Sequence, residues 1–406
     1  MKSVIVGSGG REHALAHVLQ RDSDVTVTPG NPGIPNSKAI SPLELEADLF
    51  VIGPEEPLVS GLADELREQG KVVFGPGADG AQLEGSKAWM KDLLVEANVP
   101  TAKHGTFTEE KNAIAFLKEM PLPYVIKTDG LAAGKGVLVT DSLGEAHDTI
   151  KSYLSGEAFG NAGRKIVIEE GMQGDEISIL AVCDGEKAVA LSPAQDFKRL
   201  LDNDEGPNTG GMGAYSPVPE ITEQFVERIM KVAVQPTLQA LINRGINYRG
   251  VLYAGIMNTA NGPKILEYNV RFGDPEAQVV LPRLKTSLFE LLFEAATGNI
   301  TTPPEFIDET MVTVICASEG YPKSPITGNV IKGMQEARSL DGIEEVFCAG
   351  VAVNESNELM TAGGRVLAVT GRGTTATTAR ENAYRGTERI TWEGLHKRKD
   401  IAGAVQ

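Results

Sequence analysis

The run I-L-E-Y-N-V-R-F-G-D-P-E-A-Q at 265–278 constrains this chain more than any other stretch. Ile265, Leu266, Tyr268 and Val270 set a strand, and Glu267 and Asn269 stand two apart on it. Period-two geometry puts those two side chains on one face. Two oxygen donors there, followed by Arg271, Asp274 and Glu276, suit a hard cation. Mg²⁺ takes one or two carboxylate-type protein ligands and completes its shell with water and phosphate oxygens. Arg271 adds a cationic fork where phosphate or carboxylate charge would gather. The competing reading is a half-buried strand with a solvated polar face, ending in a Gly-Asp-Pro turn. A phosphate-type motif upstream favours the first reading.

That motif is Y-V-I-K-T-D-G-L-A-A-G-K-G-V-L-V-T at 124–140. Two β-rich runs, 124–127 and 137–140, flank a loop holding Gly130, Gly134 and Gly136. Glycine permits the φ values and close approach that bring backbone N–H groups to phosphate oxygens. Lys127 and Lys135 add charge. A Walker A loop would need Gly, Lys and Ser/Thr in succession opening a helix; here Gly136 and a strand follow the lysine. A strand–loop–strand hairpin that closes over a triphosphate fits better, loose until nucleotide arrives.

Residues 1–100 read as an open parallel α/β unit, with strands at 3–6, 25–28, 48–52 and 72–74 alternating with helical stretches at 12–20 and 61–69. Its strand-end loops share one crevice at the carboxyl edge of such a sheet. The first loop, G-S-G-G-R-E, invites a dinucleotide reading that fails twice. The third glycine position falls on Glu12, and no acid follows the second strand. What survives is an anion site at a helix N-terminus, with Arg11 beside it and Glu12 and His13 in the first turn.

An α+β block follows: a helix at about 87–97, the glycine hairpin, and strands at 165–170, 176–183 and 187–191. A polar loop without regular period spans 193–219, then a long helix 222–244, strands 251–257 and 263–270, and a helix 286–297. From about 309 many short strands make a compact, mostly β unit. The expected divisions are 1–100, 101–305 and 306–406, with 123–190 as a nucleotide-clamping lobe. A net charge of −17 argues against nucleic-acid binding. Cys183, Cys316 and Cys348 show no CxxC spacing and read as buried thiols of a cytoplasmic protein, and no apolar run reaches membrane-spanning length.

Together these motifs closely resemble the glycinamide ribonucleotide synthetase (phosphoribosylamine–glycine ligase) family of ATP-grasp enzymes. The matching segments are G-S-G-G-R-E-H-A at 7–14, P-G-N-P-G at 29–33, G-P-E-E-P-L-V at 53–59, E-G-S-K-A at 84–88, K-T-D-G-L-A-A-G-K-G-V at 127–137, A-Q-D-F-K-R at 194–199, G-P-N-T-G-G-M-G-A-Y-S-P at 206–217 and R-F-G-D-P-E at 271–276. The resemblance implies central ATP-grasp domains between the N-terminal α/β unit and the small β unit. It implies ATP-dependent joining of glycine to 5-phosphoribosylamine through an acyl phosphate, in purine biosynthesis, with Mg²⁺ or Mn²⁺. The expected state is a monomer, with a dimer as the alternative.

By position, the resemblance makes Glu267 and Asn269 the metal ligands, and Lys87 and Lys127 the lysines on nucleotide phosphates. Gly130, Gly134, Lys135 and Gly136 form the phosphate loop, Glu169 and Glu170 the adenine hinge, and Glu176 the ribose acid. Gly9, Gly10, Arg11, Glu12, Pro54 and Glu55 would cradle phosphoribosylamine. Asp196, Lys198, Asn208, Thr209, Gly210, Arg271 and Asp274 would line the chamber where the two substrates meet, with Arg271, Lys127, Asp196 and Lys198 as catalytic groups. Three departures stand out. Phe197 occupies a position that is histidine in many members. The preceding strand offers A-G-I-M at 254–257 where many ATP-grasp enzymes carry an acidic ligand. The segment 31–48 is shorter by about one helix.

Overall fold

The computed structural model describes residues 1–131 and 136–405, the side chains of 161 and 162 excepted. The expected Gly134 and Lys135 of the phosphate loop therefore lie outside the described residues. In the first hundred residues, the alternating pattern produces a parallel sheet in the order Asp24–Pro29, Lys2–Gly7, Leu49–Ile52, Val73–Phe74. Between the second and third of these strands in sequence, the chain makes one 3-10 turn, Pro42–Glu44, and no α-helix. The shortened 31–48 segment thus costs the sheet one of the covering helices that parallel strands normally have.

Helix Gly10–Leu19 covers a face of this sheet with Leu15, Val18 and Leu19 and also meets strand Ile343–Cys348 of the C-terminal unit. The Cys348 N–H donates to His13 Nδ1 at 2.8 Å, and the Phe347 ring meets the His13 ring edge-on at 5.4 Å. Burial, helped by Arg338 and His17, pushes the His13 imidazole down to about 3. It therefore stays neutral and can accept that bond. Asn31 of the P-G-N-P-G loop adds donations to the Cys348 and Ala349 carbonyls at 3.2 and 3.1 Å. His13 and Asn31 weld the first and last parts of the chain together.

Two antiparallel sheets form the centre. One runs Ala188–Ala190, Asp175–Asp184, Arg249–Thr259, Gly262–Asn269; the other runs His104–Phe107, Ile166–Glu170, Tyr124–Thr128, Val137–Thr140. Helices Glu110–Leu117 and Leu143–Leu154 back the second sheet, burying Ala113, Leu117, Ala146 and Ile150 around Ile126, Ile166 and Ile168. The long helix expected at 222–244 is interrupted. Glu223–Ile229 and Gln235–Asn243 are joined by a π turn at Met230–Val234. Pro236 has no N–H to continue the i→i−4 ladder, and its ring would crowd the Val232 carbonyl, so the extra residue is absorbed there.

The segment 193–219, expected as an irregular loop, holds the short strands Gln195–Asp196, Arg199–Leu201, Glu205–Asn208 and Gly213–Ser216. The first and last of these extend the C-terminal sheet, which runs Gln195–Asp196, Gly213–Ser216, Thr310–Ala317, Arg365–Gly373, Ile343–Cys348. Helix Ala376–Thr387 packs on it. The C-terminal sheet thus draws on chain both before and after residue 306. Cys183, Cys316 and Cys348 are free and buried, and burial pushes the Cys316 and Cys348 thiols up to about 12. Among the described residues, no helix is long and apolar enough to cross a membrane.

Candidate active site

The two central sheets, with loops from both ends of the chain, enclose a cleft of about 1610 Å³. A site for one drug-sized ligand measures roughly 300–1,000 Å³, so the cleft has room for more than one substrate. On its floor, strand Gly262–Asn269 carries a bulge: Gly255 pairs with Glu267 and Ile256 with Ile265, leaving Leu266 extra. The expected face forms, for Glu267 and Asn269 both line the cleft. Opposite Glu267 stands Gly255, so the A-G-I-M strand offers no further carboxylate there. Among the described residues, no group of three or more His, Cys, Asp or Glu could hold a metal alone.

Cations crowd this floor. Burial alone would raise the Glu267 carboxyl, but Lys198, Lys127, Lys87 and Arg271 outweigh it and hold the group below its ordinary value. Lys87 opens helix Lys87–Glu96, whose N-terminus is pinned to the base of the glycine hairpin. Asp129 Oδ1 accepts from the Ala88 N–H at 2.7 Å and from the Ser86 hydroxyl at 3.0 Å. The Lys87 ammonium then reaches the Gly130 carbonyl at 3.3 Å. Lys127 is not a free charge, because Glu169 pairs with it at 3.0 Å and with the fully buried Lys91 at 3.3 Å. Burial lowers Lys91 to about 8 against the pull of Glu169. The Glu169 side chain is thus committed to two lysines, and Glu170 to Lys264 at 2.6 Å; Gly171 and Met172 beside them line the cleft, as does Gly136.

Glu176, expected to meet ribose, forms a cluster with Lys198 and Asp196. Lys198 binds Glu176 closely and lies 3.0 Å from Asp196. Burial pushes both carboxyls up, while the two carboxylates hold Lys198 protonated against its own burial. Asn208, Thr209 and Gly210 line the cleft at the end of their strand. The Thr209 hydroxyl donates to the Lys198 carbonyl at 2.9 Å, tying that loop to the cluster. Arg365 closes the loop from the other side. It donates to the Gly210 carbonyl, to the Asp274 carbonyl at 2.7 Å, and pairs with the Asp274 carboxylate at 3.2 Å. Gly211 has φ +106, and a Cβ there would fall 2.5 Å from Pro275 Cδ. This explains the glycine at 211.

At the N-terminal side, the groups expected at the anion site already have partners within the protein. Glu12 Oε2 accepts from the Gly9 N–H at 2.6 Å and Glu12 Oε1 from Arg11 Nε at 2.6 Å. A Cβ at Gly53 would fall 2.0 Å from Glu12 Oε1, so Gly7, Gly9 and Gly53 form a cradle for this protein carboxylate. The helix N-terminus is capped from within, and Arg11 spends its charge on Glu12 and on the Phe272 carbonyl at 3.2 Å. Arg11 and Glu55 line the cleft; Gly9, Gly10, Glu12 and Pro54 are not among its lining residues. Arg11→Met leaves Glu12, 2% exposed, without its counter-charge. Breaking such a buried pair costs about 3–5 kcal/mol. A lowered Tm in calorimetry, larger than any change in ligand binding, is the expected result.

Several participants escaped the sequence reading. Arg271 is held by Glu84 at 2.8 Å and Glu55 at 3.4 Å. Glu84 stands in the quoted E-G-S-K-A segment and Arg365 follows two glycines, but neither sits in a spacing that signals an ion pair. Lys91 and Tyr321, whose hydroxyl accepts from the Gly210 N–H at 3.0 Å, gave no signal at all. Phe197 packs 5.1 Å under the Arg398 guanidinium and 6.3 Å from the Tyr215 ring. An aromatic wall stands where an imidazole was the alternative.

A strand hairpin at the edge of one sheet, a bulged strand with paired oxygen donors on the other, and lysines between them define an ATP-grasp protein. The chain matches the phosphoribosylglycinamide synthetase models for the N domain over 1–84, the ATP-grasp (A) domain over 85–277 and the C domain over 311–404. It belongs to the phosphoribosylglycinamide synthetase family. A phosphoribosylamine–glycine ligase of Streptomyces coelicolor is 46% identical over 420 residues, covering 99% of each chain. One of Pseudomonas aeruginosa is 44% identical over 421 residues, covering 99% of this chain and 97% of that one. The crystal structure of the Thermotoga maritima phosphoribosylamine–glycine ligase superposes with a TM-score of 0.87 at 35% identity, covering 99% of this chain and 100% of that one. A Campylobacter jejuni biotin carboxylase, 13% identical with a TM-score of 0.73 over 97% of this chain and 92% of that one, shares the fold.

Proposed function

We propose that the chain ligates glycine to 5-phosphoribosylamine at the expense of ATP, giving glycinamide ribonucleotide, ADP and phosphate through glycyl phosphate. The observation that carries this is the full-length match to phosphoribosylamine–glycine ligases, with the expected floor of Glu267, Asn269 and Arg271 present in one cleft. In this reading residues 1–100 hold the acceptor, 101–305 the nucleotide, with 123–190 as the clamping lobe, and 306–406 close the chamber through Tyr321 and Arg365.

Lys87 and Lys127 bind nucleotide phosphates, backbone at 170–172 meets adenine, and Glu176 accepts ribose hydroxyls. Glu267 and Asn269 fit Mg²⁺ or Mn²⁺ by the chemistry of their donor set: two hard oxygens, too few to cage an ion, suit a cation that shares phosphate oxygens. A cation held by these two residues would supply neutralisation of phosphate charge. Arg271 and Lys198 steady the glycine carboxylate and the phosphoryl oxygens as the carboxylate attacks the γ-phosphate. The closed hairpin keeps water from the acyl phosphate. The phosphoribosylamine nitrogen then attacks the carbonyl, and phosphate leaves. A neutral amine meeting an acyl phosphate needs no imidazole base, so Phe197 is tolerated. We place the enzyme in the cytoplasm as a monomer, with its three free thiols reduced.

A coupled assay of ADP release tests the reading. Release is expected only when glycine and phosphoribosylamine are both present. Equal release with another amino acid in place of glycine overturns it in favour of a sister ligase.

A further inference from the structure

Lys91 follows Lys87 by one turn of helix Lys87–Glu96, is fully buried, and is not among the residues lining the cleft. Its ammonium lies 3.3 Å from Glu169 Oε1, while Lys127, which does line the cleft, lies 3.0 Å from Glu169 Oε2. On its other side Lys91 Nζ donates to the Thr101 hydroxyl at 2.7 Å, and that hydroxyl donates to the Ile265 carbonyl at 2.7 Å. The Ile265 N–H in turn donates to the Pro100 carbonyl at 2.8 Å. Lys91 is thus moored beside the bulge of the strand that carries Glu267. From there it reaches one oxygen of a carboxylate whose other oxygen holds Lys127.

Burying an ammonium is costly unless it is paired, yet pairing alone does not call for Lys91. Lys127 and Glu169 would balance one to one, and a neutral side chain at 91 would fill the same space. With Lys91 present, two cations share one carboxylate. Neighbouring elements do not redress the balance. Glu267, the next acid that acts on Lys91, is already shared among Lys198, Lys127, Lys87 and Arg271. Glu84 of helix Gln82–Gly85 is taken by Arg271, and helix Gln235–Asn243, packed against the Lys91 helix, has no charged residue. The excess positive charge meets the cleft at Lys127. A carboxylate drawn toward two cations neutralises each of them less than it would one. Lys87 needs no such device, because its contact at 3.3 Å is the uncharged Gly130 carbonyl. We infer that Lys91 is a positioning residue for Lys127: by taking one oxygen of Glu169, it leaves Lys127 with charge to spare for the nucleotide phosphates. This rests on the reading of Lys127 as a phosphate-binding lysine.

Lys91→Met keeps the bulk of the side chain and removes its charge, so Glu169 belongs to Lys127 alone. The dissociation constant of a non-hydrolysable ATP analogue, measured by calorimetry without the other substrates, is expected to rise about tenfold, the low end of what one charge-assisted contact is worth. The KM for ATP should follow it, while the KM values for glycine and phosphoribosylamine stay within about twofold of wild type. Adding Glu169→Gln to Lys91→Met frees Lys127 again, so the double variant should recover most of the lost nucleotide affinity. A merely structural lysine predicts the reverse, a second substitution that deepens a defect spread over all three KM values. That outcome overturns the inference, as does analogue binding within about twofold of wild type in Lys91→Met. If Lys91→Met does not fold, Lys91→Gln, whose amide can still donate to Thr101, carries the same expectation and is judged by the same results. Analogue binding that is unchanged in Lys127→Met is a different failure: it sinks the phosphate role of Lys127, and the inference with it.

Discussion

Glu267→Gln is expected to lower kcat at least about a hundredfold with the fold intact. The exchange keeps the shape of a side chain that, among the described residues, pairs with no lysine or arginine within ion-pair distance, so packing is preserved. What changes is charge. In the native cleft Lys198, Lys127, Lys87 and Arg271 together overcome burial to keep Glu267 ionised. With a neutral amide there, the same four groups face one another with less to balance them, and the cation that Glu267 and Asn269 would share loses its one anionic protein ligand. The defect should deepen as Mg²⁺ is made limiting and ease in excess Mg²⁺. Rates near wild type at limiting Mg²⁺ would move the metal elsewhere.

The parts of this site that were legible in sequence are those set by local rules. The same-face placement of Glu267 and Asn269 follows from period two, and the glycine hairpin from turn chemistry between two β-rich runs; strands and donors stand where those rules put them. The bulge at Leu266 was not legible, because it is fixed by pairing with the strand Arg249–Thr259 and not by residue type. Likewise strand Gly213–Ser216 owes its conformation to Thr310–Ala317, about a hundred residues away in the chain, while Arg199–Leu201 and Glu205–Asn208 pair with each other. Charge was the larger blind spot. Sequence marks Lys127, Glu176 and Arg11 as available for ligands, yet each has a protein partner: Glu169, Lys198 and Glu12. Arg11 is the sharpest case: the helix N-terminus beside it, read in sequence as an anion site, has Glu12 folded back into it.

Arg271→Met is expected to lower kcat/KM roughly a thousandfold, equivalent to about 4 kcal/mol of transition-state stabilisation, and to destabilise the fold. The native guanidinium is held in place before substrate arrives: Nη2 donates to Glu84 Oε1 at 2.8 Å and to Asn269 Oδ1 at 3.3 Å, Nε to Glu55 at 3.4 Å, and Nη1 to the Phe272 carbonyl at 3.4 Å. A fork so fixed can face developing phosphoryl charge without reorganising. Arg271→Lys keeps one charge but loses the planar fork, so it should recover only a small part of the rate. The stability loss has a pH signature. Burial already raises the Glu84 carboxyl even with Arg271 beside it; without the arginine it rises further. A carboxyl whose folded pKa exceeds its unfolded value favours folding when protonated, so the variant's deficit should shrink as pH falls below about 5 and grow as pH rises toward neutrality. Glu55 acts in the same sense, since Arg271 is the largest influence opposing its burial. Denaturant melts of wild type and variant across this range measure it. A deficit that is flat with pH would mean that Glu84 and Glu55 find other partners, and that Arg271 does not hold this corner of the cleft together.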